Sequence, residues 1–279
     1  TISEKQKLRR LLEENYLPKN RVYRYNFFYD NCTTRARDII EKCIEGKVVY
    51  SEGKERLSFR DIVHQYTKGH EWDELGIDMC LGSEADKPID TRKQMFAPFY
   101  MLEAAKKATI VVGDSVRPLI LHEKKVVDVE PEDVREGFPL SPMVCVFILI
   151  GVTCFVGWLQ FKIRKIIWIW DLLLFGVQGL AGCVITFLVF FSTHPTVGSN
   201  WLILLLNPIP LIYLPVMVYR AIKGKKDYYH TINIVCLTSF MMIMPFIQQK
   251  FNVTVLPLAL CLLICSANHV LLYYRQNNK

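Results

Sequence analysis

The sequence predicts a two-part molecule: a water-soluble α+β domain over residues 1–138, then an all-α polytopic membrane domain of about five helices over residues 139–279. Three observations carry this. Residues 1–136 hold 24 Lys+Arg against 25 Asp+Glu, whereas residues 137–279 hold 10 against 2, so the +7 excess of the chain belongs to its apolar half. Long uncharged runs fill that half, from Gly137 to Phe161, Leu172 to Tyr219, Tyr228 to Gln249 and Phe251 to Tyr274. The basic residues fall between these runs with a strong bias to one side. A nucleic-acid binder would concentrate the excess on a soluble face, so that class is excluded.

A bilayer-spanning helix needs about 20 apolar residues. The runs therefore predict spans near 142–160, 167–191, 201–219, 229–247 and 253–274, the long second run breaking at the turn formers Ser192–Asn200. Prolines 208, 210 and 215 make the third span the least regular. Lys162, Arg164 and Lys165 follow span one, Arg220, Lys223, Lys225 and Lys226 follow span three, and Arg275 and Lys279 follow span five. The opposite loops contribute only Lys250, which orients spans one, three and five from outside to inside and puts residues 1–136 outside the cytoplasm. Gly176, Gly179 and Gly182 on span two predict close helix packing, and Trp168, Trp170 and Trp201 fit interfacial anchors.

In the soluble half, Ser3 with Gln6 predicts a capping box and a helix ending near Asn15. Residues 21–29 are aromatic and β-prone. From Asp30, the spacing of Cys32, Ala36, Ile39, Ile40 and Cys43 predicts a helix with these residues on one face. Further helices are expected from Ser58 to Thr67 and over 94–107, and extended strands over 109–129 around turns at Gly113-Asp114 and Glu123-Lys124. The chain does not begin with Met and no secretory signal precedes Thr1, so part of a longer protein is expected upstream.

The nine cysteines show neither a disulfide framework nor C-x-x-C spacing, and no metal or cofactor is expected. Cys145, Cys154, Cys183, Cys236, Cys261 and Cys265 lie in uncharged runs as small lipid- or core-facing residues. Cys32 is different. With Asp30 or Asn31 as N-cap it stands in the first turn of its helix, where free N–H groups and the positive end of the macrodipole favour a thiolate and can bind an oxyanion. Arg35 and Arg37 add local positive charge. The plainer alternative is a buried small residue like Cys43. A cysteine nucleophile needs a base in reach, and among His64, His70 and His122 the sequence selects none.

Other signals are weaker. Asn31-Cys-Thr33 and Asn252-Val-Thr254 fit the glycosylation sequon. Asp171, the one acidic residue inside a span, defaults to a functional role, against simple pairing with Lys165 or access to water. His194, Asn200 and Asn207, around the outer loop, are candidates for a lipid head-group site or ordinary loop residues.

The run Asn20-Arg-Val-Tyr-Arg-Tyr-Asn-Phe-Phe-Tyr-Asp-Asn-Cys-Thr-Thr-Arg-Ala-Arg-Asp38 resembles the Lnb-type lipoprotein N-acyltransferase family. So do Phe59-Arg-Asp61, Glu71–Asp78, Leu81–Asp86, Met95–Pro98, His194-Pro195, Asn200-Trp and Asn207-Pro208. The resemblance implies a bacterial inner-membrane enzyme with a periplasmic thiol domain akin to a partial, circularly permuted papain-like fold. Such an enzyme moves an acyl chain from a phospholipid to the α-amino group of a diacylglyceryl-cysteine lipoprotein. It further implies Cys32 as nucleophile, with Asn31, Thr33, Arg35 and Asp38 shaping its pocket, and a catalytic His upstream of Thr1, without which this stretch would be inactive. On the residues alone, a membrane-tethered cysteine hydrolase (peptidase or amidase) and a non-catalytic scaffold remain open.

Overall fold

The computed structural model describes residues 1–53, 56–127 and 138–277, and its contacts divide the chain into two units: Thr1–Gln65 with Lys87–Arg135, and Tyr66–Asp86 with Glu136–Lys279. In chain order the first half carries α1 (Ile2–Tyr16), α2 (Cys32–Cys43), β1 (Lys47–Val49), α3 (Phe59–Thr67), α4 (Glu71–Cys80), α5 (Thr91–Gln94), α6 (Pro98–Lys107), β2 (Thr109–Val112) and β3 (Ser115–Pro118). The second half carries α7 (Pro142–Ile163), α8 (Trp168–Phe191), α9 (Pro195–Gly198), α10 (Ile209–Ile222), α11 (Tyr228–Ile243) and α12 (Val255–Asn277).

The first unit is mostly helical, with a small antiparallel sheet in the order β1-β2-β3, in which Val48 pairs Ile110 and Ile110 pairs Arg117. Its aromatic core joins Phe28, Phe59 and Phe96, with ring centroids 4.6 to 5.4 Å apart, beside the buried Ile62, Met95 and Ile110. Offset and edge contacts of this kind add to the area they bury.

Several local expectations are corrected. The capping box of α1 is Thr1 with Glu4, two residues earlier than Ser3 with Gln6, since Thr-x-x-Glu offers the same reciprocal pattern. Residues 21–29 form no strand: Asn26 and Asp30 make an isolated bridge, and Asn26 Oδ1 accepts from the N–H groups of Phe28 and Tyr29, both at 3.3 Å. A side chain that bonds its own backbone competes with a ladder, and Phe28 turns into the core instead. Helix 94–107 divides into α5 and α6 because Pro98 takes the N1 position. The hairpin at Gly113-Asp114 forms, but pairing stops at Pro118 and residues 119–127 add no strand; the end of that expectation, 128–129, lies outside the described residues. The short β1 and helix α4 were not anticipated.

In the second unit five segments among the described residues are long and apolar enough to cross a membrane: Pro142–Ile163, Trp168–Phe191, Pro195–Ile222, Tyr228–Phe246 and Val255–Gln276. The third is the irregular one, as its prolines predict. It runs through α9, a 3₁₀ turn at Trp201–Leu204 and then α10, which holds Pro215 inside it. Phe175, Met217, Leu237 and Phe240 are among the buried residues that pack the bundle.

The glycines of α8 are a close-approach device. A Cβ at Gly179 would sit 2.5 Å from Leu211 Cβ, and one at Gly182 would overlap the Asn207 backbone; at Gly176 the nearest neighbour, Leu214 Cδ1, leaves ordinary space. Gly182→Ala is therefore expected to cost about 3 kcal/mol, the upper range for overpacking, because backbone must move. Thermal unfolding in detergent checks this, with Gly176→Ala as the tolerated control.

Segment 66–86 is bonded to the outer loops of the bundle, within the same unit. Gly82 N–H donates to Thr196 O at 2.7 Å, Ser83 N–H to Ser199 O at 3.1 Å, and Trp72 Nε1 to Leu140 O at 2.8 Å.

Candidate active site

Asn31 determines where α2 begins. Its backbone is extended, its Oδ1 accepts from Thr34 N–H at 2.9 Å, and its own N–H donates to Thr34 Oγ1 at 2.8 Å, a reciprocal cap. The other end of the same side chain donates to Phe27 O and Phe96 O, both at 2.9 Å, and only 4 % of the residue is exposed. Asn31 thus ties the helix start to two other segments, which leaves no room for the sequon reading.

Cys32 is the first residue of this helix and its thiol is exposed. That overturns the alternative of a buried spacer like Cys43, which is in fact buried. The helix is rotated relative to the apolar face expected of it: Thr34, Arg37 and Cys43 point inward while Cys32 and Ala36 point out. Arg37 can be buried because Asp38 pairs with it at 2.7 Å and Arg92 O accepts from it at 2.9 Å. Asp38 also pairs with Arg92, at 2.9 Å. Hydrogen bonding to Glu41, then its charge, holds the Arg92 guanidinium above its ordinary pKa despite partial burial.

The arginines near Cys32 do not stand as free charges. Arg35 binds Asp30 through two hydrogen bonds of 2.8 Å and lies over the Tyr23 ring at 3.6 Å, and the Asp30 bond raises its pKa. Arg35 therefore braces the loop before α2. Thr33 is half-buried. Partial burial first, then the neighbouring Cys32, push the Tyr25 hydroxyl above the usual phenol range. Sequence reasoning passed over Tyr25. Because the Arg35 and Asp30 side chains are 36 % and 42 % exposed, Arg35→Lys is expected to lower stability by only about 1 kcal/mol, through loss of the fork and the ring contact. Comparing thermal midpoints of the two proteins checks it.

Among the described residues no histidine hydrogen-bonds Cys32. His70 stands just before α4 without a side-chain cap bond, 3.7 Å from Asp73, His122 is exposed in irregular chain beyond β3, where a strand was expected, and His64 lies within α3.

In the second unit the candidates separate. Asn200 is 3 % exposed and fully used: Nδ2 donates to Met79 O at 2.7 Å, while Oδ1 accepts from Leu202 N–H and Gln249 Nε2, both at 3.0 Å. It is a strut between segment 66–86 and the outer loops, not a free head-group ligand. Asn252 and Thr254 are likewise internal, Asn252 donating to Asp78 at 3.0 Å and accepting from Thr254. His194 is half-buried beside Ser192. Asn207 lines a cavity of ≈ 880 Å³ with Tyr213, Tyr229, Asn233, Ser239 and Phe240. Asp171 is fully buried and lies 2.8 Å from His269 Nε2 rather than pairing with Lys165 or opening to the surface. His230 and His269 escaped notice in the sequence, although polar residues inside predicted spans are the general signal for such partners.

Two family models match this chain. One, described as the Lnb transmembrane domain, covers residues 133–277, and the other, described as the Lnb N-terminal periplasmic domain, covers residues 3–68. No curated protein matches, and no solved structure does.

Proposed function

This chain belongs to the Lnb family, a multi-pass membrane protein with a periplasmic domain, and on that premise we propose that it is an acyltransferase of the bacterial inner membrane using Cys32 as nucleophile. The acyl donor is a phospholipid and the acceptor is the free α-amino group of a diacylglyceryl-cysteine lipoprotein. The Cys32 thiolate attacks the donor ester carbonyl, the ester C–O bond breaks, and the lysophospholipid leaves as an alcohol on taking up a proton. The amine then attacks the thioester carbonyl, the C–S bond breaks, the nitrogen gives up a proton as the amide forms, and the Cys32 thiolate is regenerated.

The observation that carries this reading is an exposed thiol on the first residue of a firmly capped helix. The N–H groups at the start of α2 that Asn31 does not engage can donate to an oxyanion formed at the attacked carbonyl. Asn31 positions the helix start, Arg35 and Asp38 hold its flanks through Asp30 and Arg92, and Thr33 borders the thiol. A nucleophile at a helix N-terminus is also the arrangement of papain-like thiol folds, and the unit that carries Cys32, Thr1–Gln65 with Lys87–Arg135, forms that domain in this reading. The cavity beside Asn207 suits an acyl chain, being lined mainly by apolar side chains of membrane-crossing segments.

The test is reconstitution of the full-length protein with a defined phospholipid and a diacylglyceryl lipopeptide. Mass spectrometry is expected to show one added acyl chain on the lipopeptide amine and equimolar lysophospholipid. Release of free fatty acid without any acceptor product would instead assign a hydrolase, and recovery of both substrates unchanged would reject catalysis.

A further inference from the structure

Within the membrane-spanning unit, Asp171 on α8 meets Cys265 and His269 on α12. Asp171 Oδ2 lies 2.8 Å from His269 Nε2 and Asp171 Oδ1 lies 3.4 Å from Cys265 Sγ. The three donor atoms all fall within 4.8 Å of one another, and the residues are 0 %, 2 % and 8 % exposed. Cys265 and His269 are four residues apart on one helix, so both project from the same face. Nothing in the proposed acyl transfer uses them.

We propose that Asp171, Cys265 and His269 form a binding site for a divalent transition-metal ion of the zinc class. One oxygen, one sulfur and one imidazole nitrogen are the donors zinc takes, and tetrahedral bonds of about 2.0–2.3 Å separate neighbouring donors by about 3.3–3.8 Å. Cys265 and His269 meet different Asp171 oxygens, at 3.4 and 2.8 Å, so holding an ion on one oxygen requires the carboxylate to turn and the His269 pair to open. Charge balance favours it: a carboxylate, a thiolate and a neutral imidazole around a divalent ion sum to zero, the condition an interior inside a bilayer imposes.

A second observation stands beside the cluster. His230 is fully buried, its ring stacks on that of His269 at 3.8 Å between centroids, and its Nδ1 meets Ser266 Oγ at 3.3 Å. Its Nε2 has no hydrogen-bond partner among the described residues. A buried ring nitrogen left unpaired is costly, and three protein ligands leave the ion a fourth position for a bound water. The competing arrangement, an imidazolium–carboxylate pair with the Cys265 thiol donating to Asp171 Oδ1, also balances charge, without an ion.

The experiment loads the detergent-purified full-length protein with Co²⁺ or Zn²⁺ alone, removes excess ion, and measures metal content and spectrum. Wild type is expected to keep about one equivalent and to show a Co²⁺–thiolate charge-transfer band, while Cys265→Ser loses the band and Asp171→Asn and His269→Gln bind more weakly by at least about 100-fold, the upper cost of losing a mere outer-shell partner. Cys32→Ser is expected to keep both. X-ray absorption of the zinc-loaded wild type is expected to show one sulfur at about 2.3 Å and at least one imidazole, whether or not the variants fold. A wild type with no thiolate band, a first shell lacking sulfur, or folded variants with undiminished metal content would each overturn the site and leave the ion pair.

Discussion

Cys32→Ser in the full-length protein is expected to lower N-acylation of lipoprotein substrates by roughly a thousandfold or more, with little change in thermal stability. The two halves of this expectation have different grounds. The hydroxyl replaces a thiol that is exposed, so no core contact is lost and no cavity forms. The helix cap depends on Asn31 and Thr34, which the substitution leaves in place. The chemistry, by contrast, needs a group that is both ionised near neutral pH and a good leaving group from its own acyl adduct. Serine at the same site has no thiolate to offer, and its ester would resist the amine that resolves a thioester. The measurement is the mass of lipoprotein N-termini from cells carrying only the variant, together with its melting temperature. A variant that acylates at the wild-type rate would remove Cys32 from the mechanism, and a variant that fails to fold would show that the thiol is structural after all.

The membrane half was legible because its signal is additive: about 20 apolar residues in a row, bounded by basic residues on one side, need no knowledge of neighbours. The five crossing segments follow from that, as does the broken third, whose prolines are visible in the chain. What sequence could not supply was partnership across distance. Asp171 read as a lone acid because His269 lies 98 residues away on another helix. Asn200 read as a loop residue open to a ligand because Met79, whose carbonyl it binds, is 121 residues back. The capped start of α2 was readable from Asp30-Asn31-Cys32, yet the rotation of that helix was not. The apolar spacing of Cys32, Ala36 and Cys43 competed with a buried Arg37, and an arginine is drawn inward only when partners such as Asp38 and the Arg92 carbonyl await it. Residues 21–29 failed for a related reason, since β propensity expresses the surroundings of a segment more than its backbone. Here the surroundings were the Phe59 and Phe96 rings.

Asn31→Ala is expected to be the most damaging single change near the thiol that leaves the thiol itself intact. It removes the acceptor for Thr34 N–H and both donors to the Phe27 and Phe96 carbonyls, in a residue that is almost wholly buried. A lost cap costs about 1 kcal/mol, and buried carbonyls left without donors cost about 1–3 kcal/mol more, so a total of about 2–4 kcal/mol is expected. Asn31→Asp separates the two contributions. It keeps the acceptor and suits the positive end of the helix, but it puts a carboxylate against two carbonyl oxygens, so the tie to Phe96 is lost while the cap survives. If Asn31 positions Cys32, the aspartate variant retains α2 yet shows slower thiol alkylation and a lower kcat with little change in KM, because the helix start is no longer held where the acyl carbonyl must meet it. If its role is capping alone, the aspartate variant matches wild type in both measurements and only the alanine variant fails. The second outcome would locate the site's precision in the helix rather than in its attachment to Phe96.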